Sequence, residues 1–267
     1  MRLPVYQVDA FTSKLFAGNP AAVMLLKRFL PNETLLAIAA ENNLSETAFL
    51  VKEGEHYRLR WFTPACEVPL CGHATLASAA VVLERLEPER DMVCFQTASG
   101  ALTVKRVGSG YTMDFPASPV KTVPIPEEAA VALGANPVEV WKNDRFLLVL
   151  LADAQVMRTL QPRMGAVAQL DPHGVIVTAP GDGGYDFVSR FFAPAMGIDE
   201  DPVTGSAHCV LTPFWAARLG KSEFRAHQAS RRGGELTCRL RGERVEMEGR
   251  CVFFLEGIVE LELPEPD

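Results

Sequence analysis

The feature that most constrains the fold is a stretch of sequence that occurs twice, about 130 residues apart. The segment RWFTPACEVPLCGHATLASAA occupies residues 60–80, and RFFAPAMGIDEDPVTGSAHCVLTPFW occupies residues 190–215. Both begin with Arg-aromatic-Phe-x-Pro-Ala and, after a length difference of three residues, both continue with Pro-x-x-Gly-x-Ala. Agreement at so many positions predicts two domains of the same fold.

Each copy predicts a strand, a loop and then a glycine that opens an apolar helix. The helix after Gly72 reads HATLASAAVVL, and the helix after Gly205 reads SAHCVLTPFWAA. A helix without a polar face must be buried, and a curled sheet around it is the simplest way to bury it. The sequence therefore predicts an α+β fold of two pseudo-symmetric, barrel-like, β-rich domains, each wrapped around a central apolar helix. Pro213 is expected to kink the second helix or to end it early.

The proline-rich segment FPASPVKTVPIP at 115–126 indicates where the chain crosses from one domain to the other. We expect an N-terminal domain at 1–115, which the last C-terminal residues could complete, and a C-terminal domain of the same fold at 116–267. An early helix is expected from about Asn32 to Asn42, with the Asn32 side chain capping its free N–H groups.

Composition and charge argue against several classes of partner. The net charge of −7 disfavours nucleic acid, which would require a basic face. The N-terminus lacks the basic start and apolar run of a signal peptide, and no stretch approaches 18 consecutive apolar residues. We therefore expect a cytoplasmic protein without a membrane partner. The six cysteines are expected to be reduced thiols, and their spacing does not favour a structural zinc site.

The two predicted helix starts are candidate binding sites for an anion. Each has unsatisfied backbone N–H groups and the positive end of the helix dipole. Facing each other across a cleft, they would bind a substrate carboxylate and stabilise negative charge on an adjacent carbon. Gly72 and Gly205 would let the backbone approach the ligand closely. They could equally be ordinary helix-entry glycines, but the duplication favours the functional interpretation.

Proton transfer on such a substrate needs an acid/base group, and Glu46 is the candidate. Because it precedes the apolar TAFLV, it is either exposed at a strand tip or partly desolvated, with the raised pKa that suits a general base. His73 could donate to a carbonyl or shuttle a proton, or it could be a capping or core histidine. Asp201 lies in the acidic loop GIDEDP, which could equally be a solvated turn. Ser206 could simply cap its helix.

Four segments resemble the signature segments of the phenazine-biosynthesis isomerase (PhzF-like) family, which shares the diaminopimelate epimerase-like fold. They stand in order between residues 9 and 208 and read DAFTSKLFAGNPAAV, NLSETAFL, FTPACEVPLCGHATLA and RFFAPAMGIDEDPVTGSAH. The resemblance implies two pseudo-symmetric barrels around central helices, with the active site between them.

The resemblance also implies roles for individual residues. Glu46 would be the acid/base that removes a proton from a ring carbon of a dihydro-hydroxyanthranilate-like substrate and returns it elsewhere on the conjugated system. His73 and Asp201 match the assisting polar residues. The substrate-holding positions match Asn19, Ser45, Gly72, Gly205 and Ser206. No metal or organic cofactor is implied, and the implied partners are a small-molecule carboxylate substrate and a second copy in a homodimer.

One departure and several alternatives accompany this resemblance. Pro69 stands where family members commonly carry aspartate, which removes a charge and a backbone donor near the expected site. An amino-acid epimerase or racemase of the same fold would pair two cysteines, but Thr204 occupies the position that matches Cys71. A cysteine hydrolase is disfavoured because Cys71 and His73, two residues apart at a helix start, are not expected to face each other. Cys71 is therefore interpreted as a buried structural thiol. A protein that binds a small acid without catalysis is the remaining alternative.

Overall fold

The computed structural model describes residues 1–262, and these form two compact units. Within the described residues, the first unit comprises Met1–Met113 together with 249–262, and the second comprises Asp114–Glu248. The sequence had placed the boundary at 115/116 and assigned the C-terminal segment mainly to the second domain. Among the described residues, no helix combines the length and apolar character needed to cross a membrane.

The first unit contains nine strands and two α-helices, counting β8, which passes the boundary in sequence. The strands are Arg2–Ala10 (β1), Asn19–Leu26 (β2), Glu46–Glu53 (β3), His56–Phe62 (β4), Glu67–Val68 (β5), Met92–Thr97 (β6), Gly100–Val107 (β7), Gly110–Pro116 (β8) and, at the C-terminal end, Cys251–Glu260 (β18). The helices are Asn32–Asn42 (α1) and Gly72–Val81 (α2), and α2 continues into a π-helical turn, Val82–Leu86.

The second unit repeats this order of elements with two more helices among its early strands. Its strands are Lys121–Val123 (β9), Glu139–Lys142 (β10), Leu147–Leu150 (β11), Val175–Pro180 (β12), Phe187–Ala193 (β13), Ile198–Asp201 (β14), Glu223–Gln228 (β15), Gly234–Arg241 (β16) and Arg244–Gly249 (β17). Its helices are Ala129–Leu133 (α3), Ala154–Arg158 (α4), Met164–Leu170 (α5) and Gly205–Leu219 (α6), with a 3₁₀ turn at Pro194–Met196.

Strand pairing in each unit follows one common order. In the first unit β18, β1 and β2 are antiparallel neighbours, β2 is parallel to β3, β3 antiparallel to β4, β4 parallel to β6, and β6 antiparallel to β7. In the second unit β9, β10 and β11 are antiparallel neighbours, and the same alternation leads through β12, β13 and β15 to β16. The short strands β5 and β14 pair with β4 and β13 at matching places. The repeat seen in the sequence is thus a repeat of topology.

The alternation of side chains along β3 decides where its first residue points. Phe49 and Val51 pack with Leu35 and Ile38 of α1 in one apolar cluster on one face of the sheet. Successive side chains of a strand point to opposite faces, so Glu46 shares the other face with Ala48 and Leu50. That face is covered by α2, whose residues from His73 to Val81 are all buried. The side chain of Glu46 is therefore directed toward the buried helix.

Two local expectations, an early end of the helix at Pro213 and a cap at Asn32, differ from the structure for identifiable reasons. Helix α6 does not end at Pro213 but continues to Leu219. Proline cannot donate to the carbonyl four residues earlier, and that carbonyl, on Cys209, accepts instead from the N–H of Ser118 at 3.0 Å. Asn32 does not cap α1, because its side-chain oxygen accepts from the guanidinium of Arg60 at 2.8 Å.

Candidate active site

A carboxylate and an imidazole meet where β3 begins and α2 begins. Nε2 of His73 lies 3.1 Å from Oε2 of Glu46, and the side chains are only 5% and 13% exposed, respectively. The expectation of an exposed glutamate at a strand tip is therefore wrong, and the desolvated alternative matches the structure. In a buried pair of this kind, removal of one partner leaves the other as an uncompensated buried charge.

The other ring nitrogen of His73 has its own neighbours. Nδ1 lies 3.1 Å from the side-chain Nδ2 of Asn19, which is fully buried at the start of β2. It also lies 3.5 Å from Sγ of Cys71. The expectation that Cys71 and His73 do not face each other is wrong, because Cys71 precedes the helix with extended backbone angles that turn its side chain back toward the ring.

The protonation of this group follows from its charges. Burial disfavours a charged imidazole, but attraction to the side chains of Cys71 and Glu46 outweighs that cost, so the pKa of His73 is raised well above 6.5. Burial, followed by repulsion from Glu46, raises the pKa of the Cys71 thiol above 9.0. Cys71 is therefore a neutral thiol at neutral pH. A protonated His73 ring donates from both nitrogens, so in that state the Asn19 amide would present its oxygen to Nδ1.

The same three side chains are also a candidate metal-binding group, since their donor atoms lie within 4.8 Å of one another. Glu46 and Cys71, however, approach different nitrogens of the His73 ring. One ion could not bond both of them and a ring nitrogen between them unless the imidazole turned away from its present partners. The arrangement resembles a chain of proton donors and acceptors more closely than a chelate.

The start of α2 is built so that its first N–H groups face outward from the helix. Cys71 is the cap residue, and its carbonyl accepts from both the N–H of Thr75 at 3.2 Å and the hydroxyl of Thr75 at 2.5 Å. The N–H groups of Gly72 and His73 have no carbonyl partner inside the helix, as at every helix start. They lie directly beside the Glu46–His73 pair and could stabilise negative charge there.

The start of α6 uses the same device with different residues. Thr204 is the cap residue, and its carbonyl accepts from the N–H of His208 at 3.3 Å and from Nδ1 of its ring at 2.8 Å. Burial lowers the pKa of His208 to about 4, so the ring is neutral and Nδ1 carries the donated proton. Thr75 and His208 occupy matching positions of the repeat, and the side chain of each donates to the carbonyl of its own cap residue.

Asp201 is held by the loop that leads into α6. The hydroxyl of Thr204 donates to Oδ2 of Asp201 at 2.5 Å. Gln228, at the end of β15, accepts from the N–H of Thr204 at 2.8 Å and donates to the backbone carbonyl of Asp201 at 2.8 Å. Asp201 is therefore part of an ordered network, unlike the solvated turn that was the alternative. Its counterpart in the first copy is Val68, so the acid belongs to one half alone.

Two further matches between the halves lie outside the residues predicted from the sequence. A bidentate arginine–glutamate pair closes each loop, Arg60 with Glu67 and Arg190 with Glu200. A serine hydroxyl then bonds the carbonyl of the proline that precedes each helix start. These bonds run from Ser99 to Pro69 at 2.7 Å and from Ser230 to Pro202 at 2.8 Å.

These matches explain what Pro69 does in this chain. Pro69 is exposed, and its carbonyl is used in the same way as that of Pro202 in the other half. The signal that could have revealed the serines was a second short repeat, Thr-Ala-Ser at 97–99 against Gln-Ala-Ser at 228–230.

The predicted site residues fall into two groups, one in each unit. Glu46, His73 and Asn19 are brought together around the start of α2, where Gly72 is the first helical residue. Asp201, Gly205 and Ser206 lie in or beside the start of α6, with Ser206 partly exposed. Ser45 directly precedes β3, and no hydrogen bond of its side chain is seen within residues 1–262. Gln228, Thr204 and the Cys71–His73 contact were not predicted.

Comparisons with known proteins identify chains that are similar in sequence and in fold. Residues 8–257 match the PhzC-PhzF family, described as phenazine biosynthesis-like protein. The chain is 52% identical over 261 residues to an uncharacterised isomerase of Pseudomonas aeruginosa, covering 98% of this chain and 100% of that protein. The crystal structure of a PhzF-family phenazine biosynthesis protein from Enterococcus faecalis has a TM-score of 0.95 and 45% identity, covering 98% of this chain and 100% of that one.

A more distant structure, a predicted epimerase of Pseudomonas aeruginosa, has a TM-score of 0.73 at 20% identity and covers 97% of this chain and 99% of that one. At that identity the likeness shows the fold alone. The predicted β-rich α+β fold is confirmed by these similarities. The family match and the relative named as an isomerase support an isomerase role.

Proposed function

Since the chain belongs to the PhzC-PhzF family of phenazine biosynthesis-like proteins, we propose that it is a cofactor-independent isomerase that moves a proton on a small carboxylate substrate. The observation that carries the proposal is the buried contact of 3.1 Å between Glu46 and His73 beside the start of α2. It combines a base, a positive hydrogen-bond donor and the free N–H groups of a helix start in one place.

The proposed reaction begins with proton removal by Glu46. The carboxylate takes a proton from a carbon next to an electron-withdrawing group, and the electron pair left behind spreads into the conjugated system. The imidazolium of His73 and the N–H groups of Gly72 and His73 stabilise that negative charge. Protonated Glu46, whose acidic proton exchanges with solvent, then delivers a proton to another carbon of the system. Bonds and charge balance without an oxidant, because the proton only changes its place.

Protonation of His73 has a specific consequence for this cycle. While Glu46 is an anion, the imidazolium is its counterion. When Glu46 carries the substrate proton, the negative charge has moved to the substrate, and the imidazolium can stabilise that charge instead. A neutral histidine would give less stabilisation to the charged intermediate. The raised pKa of His73 therefore supports the proposal.

For the second half we propose the roles that the family resemblance implies. Asp201 would assist proton transfer, and Gly205 and Ser206 would hold the substrate at the start of α6. Asn19 and Ser45 would do so in the first half. What supports Asp201 is its anchoring: Thr204 donates to its carboxylate, and Gln228 donates to its backbone carbonyl while also holding the N–H of Thr204.

A thiol mechanism is the second candidate, and one observation favours it. Cys71, His73 and Glu46 stand in a row, with Sγ 3.5 Å from Nδ1 and Nε2 3.1 Å from the carboxylate. This order is also that of a nucleophile, its base and an orienting acid. Burial and the charge of Glu46 oppose it, because both raise the pKa of Cys71 and outweigh the opposite effect of His73.

An epimerase with paired cysteines is further disfavoured by the structure. Cys71 and Thr204 are both the cap residues of their helices, so they hold equivalent places in the two halves. A threonine hydroxyl at the second place cannot act as the matching thiolate. A purely binding function would leave the buried Glu46–His73 pair without a chemical task.

Proton NMR in D₂O tests the proposal. The wild-type protein is incubated with a panel containing dihydro-hydroxyanthranilate, diaminopimelate, proline and several β,γ-unsaturated amino and hydroxy acids. Uptake of deuterium at carbon, or rearrangement of one compound, is the expected result. Saturable binding of a compound, measured by calorimetry, without any exchange would favour a binding protein instead.

A further inference from the structure

We propose that Gln228 is a positioning residue that sets the direction of the Thr204 hydroxyl and, through it, the orientation of Asp201. The inference rests on the proposed role of Asp201 and extends it to a residue outside the family-like segments. Gln228 is fully buried and is the last residue of β15. Its neighbours in the sheet are Ser189 on one side and Gly234 on the other, so its backbone is fixed from both sides.

The amide of Gln228 can stand in only one orientation. Its Oε1 accepts from the backbone N–H of Thr204 at 2.8 Å. Its Nε2 faces two acceptors, the backbone carbonyl of Asp201 at 2.8 Å and the hydroxyl oxygen of Thr204 at 3.1 Å. Exchanging the two ends of the amide would set donor against donor and acceptor against acceptor. The network thus fixes which end of the Gln228 amide accepts and which end donates.

This orientation determines the hydroxyl of Thr204. A hydroxyl has one hydrogen to donate, and the oxygen of Thr204 already accepts from Gln228. Its hydrogen is therefore free to point at Oδ2 of Asp201, which lies at 2.5 Å. A hydrogen bond to an ionised carboxylate is among the stronger ones in proteins. Gln228 thus acts on Asp201 through Thr204, and the same amide also ties the backbone of the loop to β15.

The first half of the molecule supplies an internal comparison. Thr97 occupies the position that matches Gln228, at the end of β6. Its hydroxyl bonds the carbonyl of Gly100 at 2.7 Å and does not reach the cap residue Cys71. The first half also has Val68 where the second has Asp201. The glutamine and the acid therefore occur together in one half and are both missing from the other, which is what a positioning role requires.

Three variants separate the parts of this proposal. In Gln228→Met the side chain keeps its length but loses every hydrogen bond. In Gln228→Glu an oxygen still accepts from the N–H of Thr204, but the donor to Asp201 and to the Thr204 hydroxyl is lost. Thr97→Val, at the matching position of the first half, is the control. The readouts are amide hydrogen exchange of Thr204 by NMR, the thermal midpoint, and kcat and KM for the substrate found in the D₂O panel.

We expect the Thr204 amide to exchange at least about 10-fold faster in Gln228→Met and to stay protected in Gln228→Glu. We expect kcat to fall about 10-fold or more in both variants, with KM changed less than about threefold, because a displaced catalytic group costs rate rather than binding. Thr97→Val should keep kcat within about twofold.

Wild-type kcat in Gln228→Glu would overturn the proposed control of the hydroxyl. Unchanged exchange of the Thr204 amide in Gln228→Met would overturn the anchoring. If both variants merely lowered the thermal midpoint, the role would be structural only. Wild-type activity in Asp201→Asn would show that the Asp201 carboxylate is not needed. That result would overturn the proposed role of Gln228 but not the proposed role of Glu46. Failure of the wild type to exchange any substrate proton would instead count against the proposed function, and the amide-exchange test would still stand.

Discussion

At the scale of single residues, the site is defined by what surrounds each group more than by which groups are present. Glu46 and His73 are individually unremarkable in the sequence, and each had a plain structural interpretation. In the structure their side chains are only 13% and 5% exposed and lie 3.1 Å apart, so the charge of each affects the protonation of the other. The neutral Cys71 and the amide of Asn19 occupy the other side of the imidazole.

The pKa of His73 depends on Glu46, which gives a direct prediction. In Glu46→Gln one of the two side chains that offset burial loses its charge, so the pKa of His73 should fall. The measurement is a pH titration of the His73 ring protons by NMR. His208, whose pKa is about 4 because of burial, provides the internal control and should titrate alike in both proteins. An unchanged pKa of His73 would mean that Glu46 is not its counterion.

The same pair predicts how stability depends on pH. The pKa of His73 is raised in the folded protein, so its stabilising contribution is complete below the unfolded value of 6.5 and is lost as the pH rises through the folded value. The free energy of unfolding of the wild type, minus that of Glu46→Gln, should therefore decrease from pH 6 toward alkaline pH. Urea unfolding of both proteins at several pH values measures it. A difference that grows with pH would have the wrong sign for this pair.

The sequence could propose Glu46, His73 and Asp201 as candidates because motif and resemblance point to residue types at fixed spacing. It could not identify Gln228, since that residue acts from a strand beyond α6 and contacts Thr204 only after the chain has folded. It also misjudged the contact between Cys71 and His73. Spacing rules for helices do not hold at a cap residue, where the backbone is still extended.

At the scale of elements, the same helix entry has been built twice from different side chains. In both halves a proline carbonyl is bonded by a serine, an arginine–glutamate pair closes the loop, and the cap carbonyl accepts from a side chain one turn later. The glycine followed by a continuous apolar stretch predicted both helices. It could not predict that α6 passes through Pro213, because the bond that satisfies the Cys209 carbonyl comes from Ser118, far away in sequence.

Close packing around α2 predicts that one methyl group added at Gly249 lowers the free energy of unfolding. A Cβ atom at Gly249 would lie 2.4 Å from Cδ1 of Phe11 and 3.2 Å from Cδ2 of Leu76, both of which are fully buried. Gly249→Ala should therefore lower the free energy of unfolding by about 1–3 kcal/mol, the usual cost of overpacking. Chemical unfolding measures the change.

Gly165→Ala in α5 is the matched control for this substitution. A Cβ atom there meets nothing within 4 Å, and alanine favours a helix by up to about 1 kcal/mol over glycine. We expect the control to be neutral or stabilising. Equal effects of the two substitutions would contradict the packing around Phe11 and Leu76.

At the scale of the whole molecule, a strand near the C-terminus belongs to the same unit as the N-terminal strand. Strand β18, near the C-terminus, pairs with β1 in the first unit in the way that β9 pairs with β10 in the second. A duplicated sequence could reveal two similar domains and the segment between them. Which unit receives the last strand depends on long-range pairing, which carries no local signal in the sequence.

The predicted homodimer and cytoplasmic location come from the resemblance and the composition and stay predictions. The dimer has a simple test, because one chain has a mass of 29.2 kDa. Light scattering coupled to size exclusion should give twice this mass across a range of protein concentrations. A constant value equal to one chain would contradict the dimer without affecting the assignment of Glu46.

The measurement that tests the central claim most directly is the rate of deuterium exchange into the substrate for three proteins: wild type, Glu46→Gln and Cys71→Ala. If Glu46 carries the proton, exchange should fall by at least about 100-fold in Glu46→Gln, as expected for loss of a general acid/base, and should persist in Cys71→Ala. Circular dichroism spectra like that of the wild type confirm that both variants are folded. Exchange that survives Glu46→Gln and disappears in Cys71→Ala would contradict the account and assign the chemistry to the thiol.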